Sequence, residues 1–201
     1  MMTHRSITAL MTLCLALLLL AGCSSPRVTF YTLNPVAMPE TTAAAPILDS
    51  VLIGPVVLPD LYDQPQLVVR VDANRVEILE MQRWAAPLKA EIPRVLAEDL
   101  AVLLKPARVS TYPQNSALDA EYRVQIDIQR YEMTAGQGVA LDALWSVRRT
   151  AGGSAKTGRS VVNEPAAASG YDALVAAQSR ALGTVSRELA QALRALAASP
   201  K

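Results

Sequence analysis

Only three side chains carry thiol or imidazole chemistry, Cys14, Cys23 and His4, and all lie within the first 23 residues. Cys23 stands directly behind the run LLLLAG, where a thiol is a nucleophile that can take a thioether-linked lipid. The segment before it is built for export. His4 and Arg5 give a short polar start, Ile7 to Leu20 an apolar core, and Ala21 and Gly22 a small-residue close, which is the layout of a secretory signal peptide. The apolar run falls short of the roughly 20 residues that span a bilayer, so it reads as a leader and not as a span.

Leu20, Ala21, Gly22 and Cys23 also resemble the bacterial lipobox, in which the cysteine is acylated, palmitate being one such chain, and the chain is cut just before it. On this reading residues 1–22 are removed, with Leu20, Ala21 and Gly22 as the signal peptidase recognition residues and Cys23 as the lipidated terminus. Each buried methylene contributes roughly 0.8 kcal/mol, and two or more chains hold the protein stably at a membrane. Ser24 is not the aspartate that commonly retains such lipoproteins at the inner membrane. The resemblance therefore implies an outer-membrane anchor facing the periplasm.

Cleavage removes His4 and Cys14, and Cys23 is committed to lipid. Ser-His-Asp and Cys-His catalysis and cysteine or histidine metal sites then lack their groups. No internal disulfide can form, no metal or cofactor is expected, and the protein reads as a non-enzyme. Removing 22 residues from 201 leaves 179, enough for one domain with its own core. Arg5 leaves too, so the remaining 18 basic side chains balance 18 acidic ones, and no cationic field for nucleic acid exists. Ser154, Lys156 and Ser160 carry no recognisable nucleophile motif.

Residues 23–27 read as a lipidated tether, with Ser24 to Arg27 spanning about 13 Å at full extension, and residues 28–198 as a single domain. Val28–Leu33 has strand composition. Asn34–Pro46 reads as a loop or crossover. A buried strand follows in SVLIGPVVLP, with a bulge or edge position at Gly54 and Pro55. QLVVRV and RVEILE form a hairpin across Asp72, Ala73 and Asn74.

Pro87 opens a helix whose apolar stripe runs through Leu88, Ile92, Val95, Leu96, Leu100 and Leu103. Pro93 either kinks it or starts its regular part. ARVSTYP is a short strand, EYRVQIDIQRYE and VALDALWSVRR alternate as a long hairpin, and GRSVVNE is a weaker strand at a sheet edge. Ser169 and Asp172 fit a capping box for a last helix with Leu174, Val175, Gln178, Leu182, Val185, Leu189, Leu193 and Leu196 in period. The fold class is α+β: a mostly antiparallel sheet of about six to eight strands with two main helices packed on it.

YTLNP, IGPVVLPDLYDQPQLVVR, RWAAPL, VLAEDL and YDALVAAQSRAL, in this order, resemble the ABC-type transport auxiliary lipoproteins, the PqiC-like or YmbA-like family. The resemblance implies an auxiliary or docking subunit without chemistry of its own, serving a transporter whose substrate-binding subunit is an MCE protein and which moves phospholipid or related lipids between the two membranes. Gln64 and Ala86 depart from the family pattern, which commonly has an arginine and an acidic residue there.

Partner-interface candidates are Arg83 and Trp84, at the junction of strand and helix, and Tyr62, Pro65 and Gln66, in a loop. Arg and Trp are enriched among interface hot spots. The competing assignments are that Trp84 closes the core and that the loop is a rigid turn. Trp145, in register with Leu141 and Val147, reads as core. Arg148 and Arg149 could meet anionic headgroups or form a solvated strand end. Two other function classes stand beside docking: a lipid carrier with its own apolar cavity, and a periplasmic enzyme using carboxylates. Near-neutral charge and flat edges permit a homo-oligomer.

Overall fold

A computed structural model of the chain describes residues 27–39, 48–105, 107–113, 119–153 and 155–199. The leader, the lipobox residues Leu20 to Cys23, and part of the 34–46 connection lie outside them. Eight strands and two helices follow in the order β1 (Thr29–Tyr31), β2 (Ser50–Val57), β3 (Gln66–Asp72), β4 (Arg75–Trp84), α1 (Leu88–Leu103), β5 (Arg108–Thr111), β6 (Tyr122–Thr134), β7 (Gly138–Arg149), β8 (Ala155–Pro165) and α2 (Tyr171–Ala198).

The three hairpins form where alternation and short polar turns demand them. β3 pairs antiparallel with β4, the backbone N–H of Asn74 bonding the Asp72 carboxylate in the turn. β6 pairs with β7 along its whole length, and β7 with β8. At the β6–β7 turn, Gly138 holds φ +145°, and a Cβ there would collide with the Glu164 carbonyl at 2.2 Å. Only glycine fits.

The sheet is nevertheless mixed, which corrects the mostly antiparallel expectation: four of its seven strand pairings are parallel. β1 lies parallel to β4, β2 parallel to β5 and β6, and β3 parallel to β6. These partners are joined by long connections, including the crossover through α1, and such connections leave strands pointing the same way. With β7 on one edge of β6, β2 and β3 must share the other, β2 against Tyr122–Asp127 and β3 against Met133 and Thr134. The register shift in β2 falls between Ile53 and Val56, around the expected bulge at Gly54 and Pro55.

α1 covers β2 and β5, α2 covers β6, β7 and β8, and the two helices pack on each other. Every residue of the α1 stripe is buried. Pro93 sits inside an uninterrupted helix, so neither a break nor a late start occurs. The Ser169–Asp172 capping box is not made: α2 starts at Tyr171 behind Gly170, whose φ of +100° turns the chain with no side-chain cap bond. No helix among the described residues is long and apolar enough to cross a membrane.

Candidate docking surface

Alternation along β6 and β7 sends Val124, Ile126, Ile128, Leu141, Ala143 and Val147 under the helices, all 3 % exposed or less. No helix among the described residues packs on the opposite face. Across it runs the row Val57, Asp127, Leu144, Arg159, one residue from each of β2, β6, β7 and β8. Val57, Leu144 and Val161 are 54 %, 43 % and 56 % exposed, large apolar side chains left in water. Around this row lies an open cleft of about 750 Å³, lined also by Pro55, Ser146 and Thr157.

Two of the charges here cancel. Arg159 grips Asp142 with two parallel bonds, Nε to Oδ1 at 2.8 Å and Nη2 to Oδ2 at 2.5 Å. The Arg159 guanidinium holds the Asp142 carboxyl below its ordinary range against the opposing effect of burial. Beside the cleft β8 pairs only with β7 among the described residues, which leaves 11 residues of strand edge able to accept another strand.

Trp145 packs against the core, but at its margin and not inside it. Its ring is half-buried against Gly158, where a Cβ would come within 2.2 Å of it, and its Nε1 donates to the Ser160 hydroxyl at 3.0 Å. Ser160, buried, donates in turn to Glu188. Arg149 is likewise no solvated strand end: it is buried, its guanidinium bonding the Tyr122 hydroxyl and the Leu196 carbonyl near the end of α2. Arg148 alone of the pair is exposed.

The interface candidates come together at one corner but divide by burial. Gln66 and Arg83 are cross-strand partners, and the Trp84 N–H donates to the Pro65 carbonyl at 2.7 Å. Glu80 accepts from both Gln66 Nε2 and Arg83 Nη2. Pro65 is exposed, and Gln66 and Arg83 are half-buried. Trp84 and Tyr62 are 5 % and 8 % exposed, so both rings belong to the core and neither is an exposed anchor. Burial, reinforced by nearby Glu132, pushes the Tyr62 hydroxyl up to about 12.

Sequence reasoning missed a clamp on the segment that follows β1. Glu91 accepts hydrogen bonds from the Thr32 hydroxyl at 2.6 Å, the Leu33 N–H at 3.2 Å and the Arg94 guanidinium. Burial opposes its ionisation, yet these donors win and hold its carboxyl below the ordinary glutamate value. Asp99, fully buried, takes the N–H groups of Val36 and Ala37 at 2.9 and 2.8 Å through one oxygen and the Ser186 hydroxyl through the other. Ser179 on α2 accepts from the Asn34 N–H. Gly183 lets Val36 close in, since a Cβ there would stand 2.4 Å from the valine methyl. Asp99 had one visible signal: it falls on the period of the apolar stripe, three residues after Leu96 and four before Leu103.

The model of the ABC-type transport auxiliary lipoprotein component family matches residues 31–190. The chain belongs to this family. It is thus a lipoprotein-type auxiliary component of ABC-type transport, a family described by transport and not by catalysis, and a transporter is its implied partner. Two solved structures show the same fold. A crystal structure of an uncharacterized protein, 15 % identical, covers 84 % of this chain and 99 % of its own at a TM-score of 0.66. A Xanthomonas campestris protein of the DUF330 family, 16 % identical, covers 80 % and 92 % at 0.64. PelC from Paraburkholderia phytofirmans, a dodecamer, is 13 % identical over 84 % and 99 % at only 0.39. Comparison with curated proteins gives no match. Three stretches of this auxiliary component meet at the clamp: YTLNP opens the clamped segment, VLAEDL supplies Asp99 and YDALVAAQSRAL supplies Ser179.

Proposed function

We propose that the protein is an outer-membrane-anchored, periplasm-facing docking subunit of an MCE-type intermembrane lipid transport system, built as a signal peptide over residues 1–22, a lipidated tether at 23–27 and one domain at 28–198. The observation that carries the docking reading is the sheet face away from the helices, with its exposed Val57, Leu144 and Val161 and its open edge. Large apolar side chains left exposed beside a cleft favour a contact surface, and an edge strand is a template for a partner's strand. The lipid on Cys23 holds β1 near the membrane. Five inter-strand steps, about 24 Å at ~4.8 Å each, separate β1 from β8. The cleft and the β8 edge then stand away from the anchor, where a transporter's periplasmic end arrives, with Pro65, Gln66 and Arg83 as further contacts nearer the membrane.

A carrier reading draws support from the same cleft, whose volume suits an acyl-sized ligand, but the cleft is open along one face and the space under the helices is filled by side chains. The carboxylate-enzyme reading loses support because the buried carboxylates Glu91, Asp99 and Asp142 are each occupied by backbone N–H, hydroxyl or arginine partners. The test is mild-detergent extraction of the full-length lipidated protein, followed by identification of associated proteins and lipids. An MCE subunit supports docking. Stoichiometric phospholipid with no protein partner points to the carrier and overturns docking. Acyl labelling and fractionation of Cys23→Ser checks the anchor: undiminished labelling rejects the lipobox reading.

A further inference from the structure

Between the sheet and α2, directly behind Trp84, lies a cavity of about 10 Å³ lined by Leu88, Tyr131, Met133 and Gln178 among others. Two of its lining side chains carry polar atoms that are cut off from solvent and have no hydrogen-bond partner: the Tyr131 hydroxyl and Gln178 Oε1. Both residues are 1 % exposed. The fold does not require their polarity. Tyr131 occupies an inward position of β6 between Ile128 and Met133, and Gln178 lies on the buried stripe of α2 between Leu174 and Leu182. An apolar side chain at either place would serve packing equally well.

A buried polar group without a partner costs about 1–3 kcal/mol, so two of them on side chains that line one small cavity call for a ligand that serves both. The cavity's volume matches about one water-sized sphere, the lower limit for holding a water molecule. The two unpartnered groups are a hydroxyl that can donate and an amide oxygen that accepts, the pair that one water can bridge.

We propose that this cavity is a site for a single buried water molecule, which accepts the hydrogen of the Tyr131 hydroxyl and donates one of its own to Gln178 Oε1. The water joins β6 to α2 at the point where Trp84 closes the core, and fastens the sheet to its helix layer by a polar link in an otherwise apolar seam. Were the Gln178 amide turned by half a revolution, the same water would accept from its NH₂ group, so the site does not depend on the amide's orientation.

The test uses the full-length protein in detergent and three variants, Tyr131→Phe, Gln178→Met and the double, each nearly isosteric and able to fold. With a bridging water, each single variant lowers the unfolding midpoint in urea, weakening the folding equilibrium roughly fivefold. The double variant loses little more than either single, because both sever the same bridge. A rise in stability for either variant overturns the proposal, since it identifies the polar atom as a true orphan. Additive losses overturn it as well, since the two groups then act separately. A crystal structure fine enough to show ordered solvent decides the geometry: density within 3.2 Å of both atoms is expected, and a direct Tyr131–Gln178 bond with no density between them refutes it.

Discussion

The two faces of the β6–β7 hairpin are made by the same alternation yet end in opposite environments. Val124 and Leu141, under the helices, are fully buried, while Leu144 on the other side is 43 % exposed and, with Val57 and Val161, makes an outer strip in which large apolar side chains stand among charged ones. Burying a large aliphatic side chain is worth about 1.5–3 kcal/mol, so the inner face repays the cost of folding and the outer strip holds the same kind of energy unspent. The contrast teaches that this domain needs only one side of its sheet for stability. The other side is free to be selected for contact.

Substitutions that break the contrast should have the largest effects on the inner face. Ile126→Asp places a carboxylate under the helix layer and is expected to destabilise by on the order of 4–5 kcal/mol, whereas Gln125→Asp, one residue along and on the open face, should stay within about 0.5 kcal/mol. Urea melts of the two variants check this, and equal losses would mean that the faces are misassigned. Trp84→Ala should cost about 3–5 kcal/mol as a core truncation, read in the same melts. Its surviving folded fraction should still capture the transporter partner.

Glu91 of the clamp and the buried Tyr62 sharpen the comparison through pH. Glu91 has a lowered pKa in the folded state, so the unfolded chain takes up its proton first. Its contribution is complete above the ordinary glutamate value and is lost as pH falls through the lowered one. Tyr62 has the opposite sign. Its hydroxyl is pushed up to about 12, so its contribution is complete below pH ~10 and is lost as pH rises from there. Stability profiles should fall on both flanks, with Glu91→Gln flattening the acid side and Tyr62→Phe the alkaline side. Unchanged slopes in these variants would remove each residue from the account.

How much of this was legible follows from which forces are local. The hairpins and both helices could be read because period-2 and period-3.6 patterns and turn residues act within a dozen residues. The parallel pairings could not, since β1 offers three residues and β2 can settle between β5 and β6 only after α1 has crossed over. Parity placed Trp145 on the correct face but could not show its depth, because the opposite residue, Gly158, gives the ring a seat at the margin of the core. Burial of Tyr62 likewise depends on Trp84, Leu88 and Met133 gathering beside it from β4, α1 and β6, which no local pattern announces. Leu144 and Val161 carried a signal that went unread: they are apolar at positions where the alternation calls for polar residues.

The smallest expected effects on stability belong to the outer strip, where Leu144→Glu and Val161→Lys should shift the melts by less than about 0.5 kcal/mol while weakening partner capture. The central claim, that the helix-free face is where the partner docks, is tested most directly by photo-crosslinking from single positions of the full-length lipidated protein in cells. Probes at Leu144 and Val161 are compared with probes at Glu98 and Gln191, exposed on α1 and α2. Adducts with an MCE-type transporter subunit from Leu144 and Val161, and none from Glu98 and Gln191, are the predicted result. Adducts from the two helix positions with none from the sheet face would contradict it.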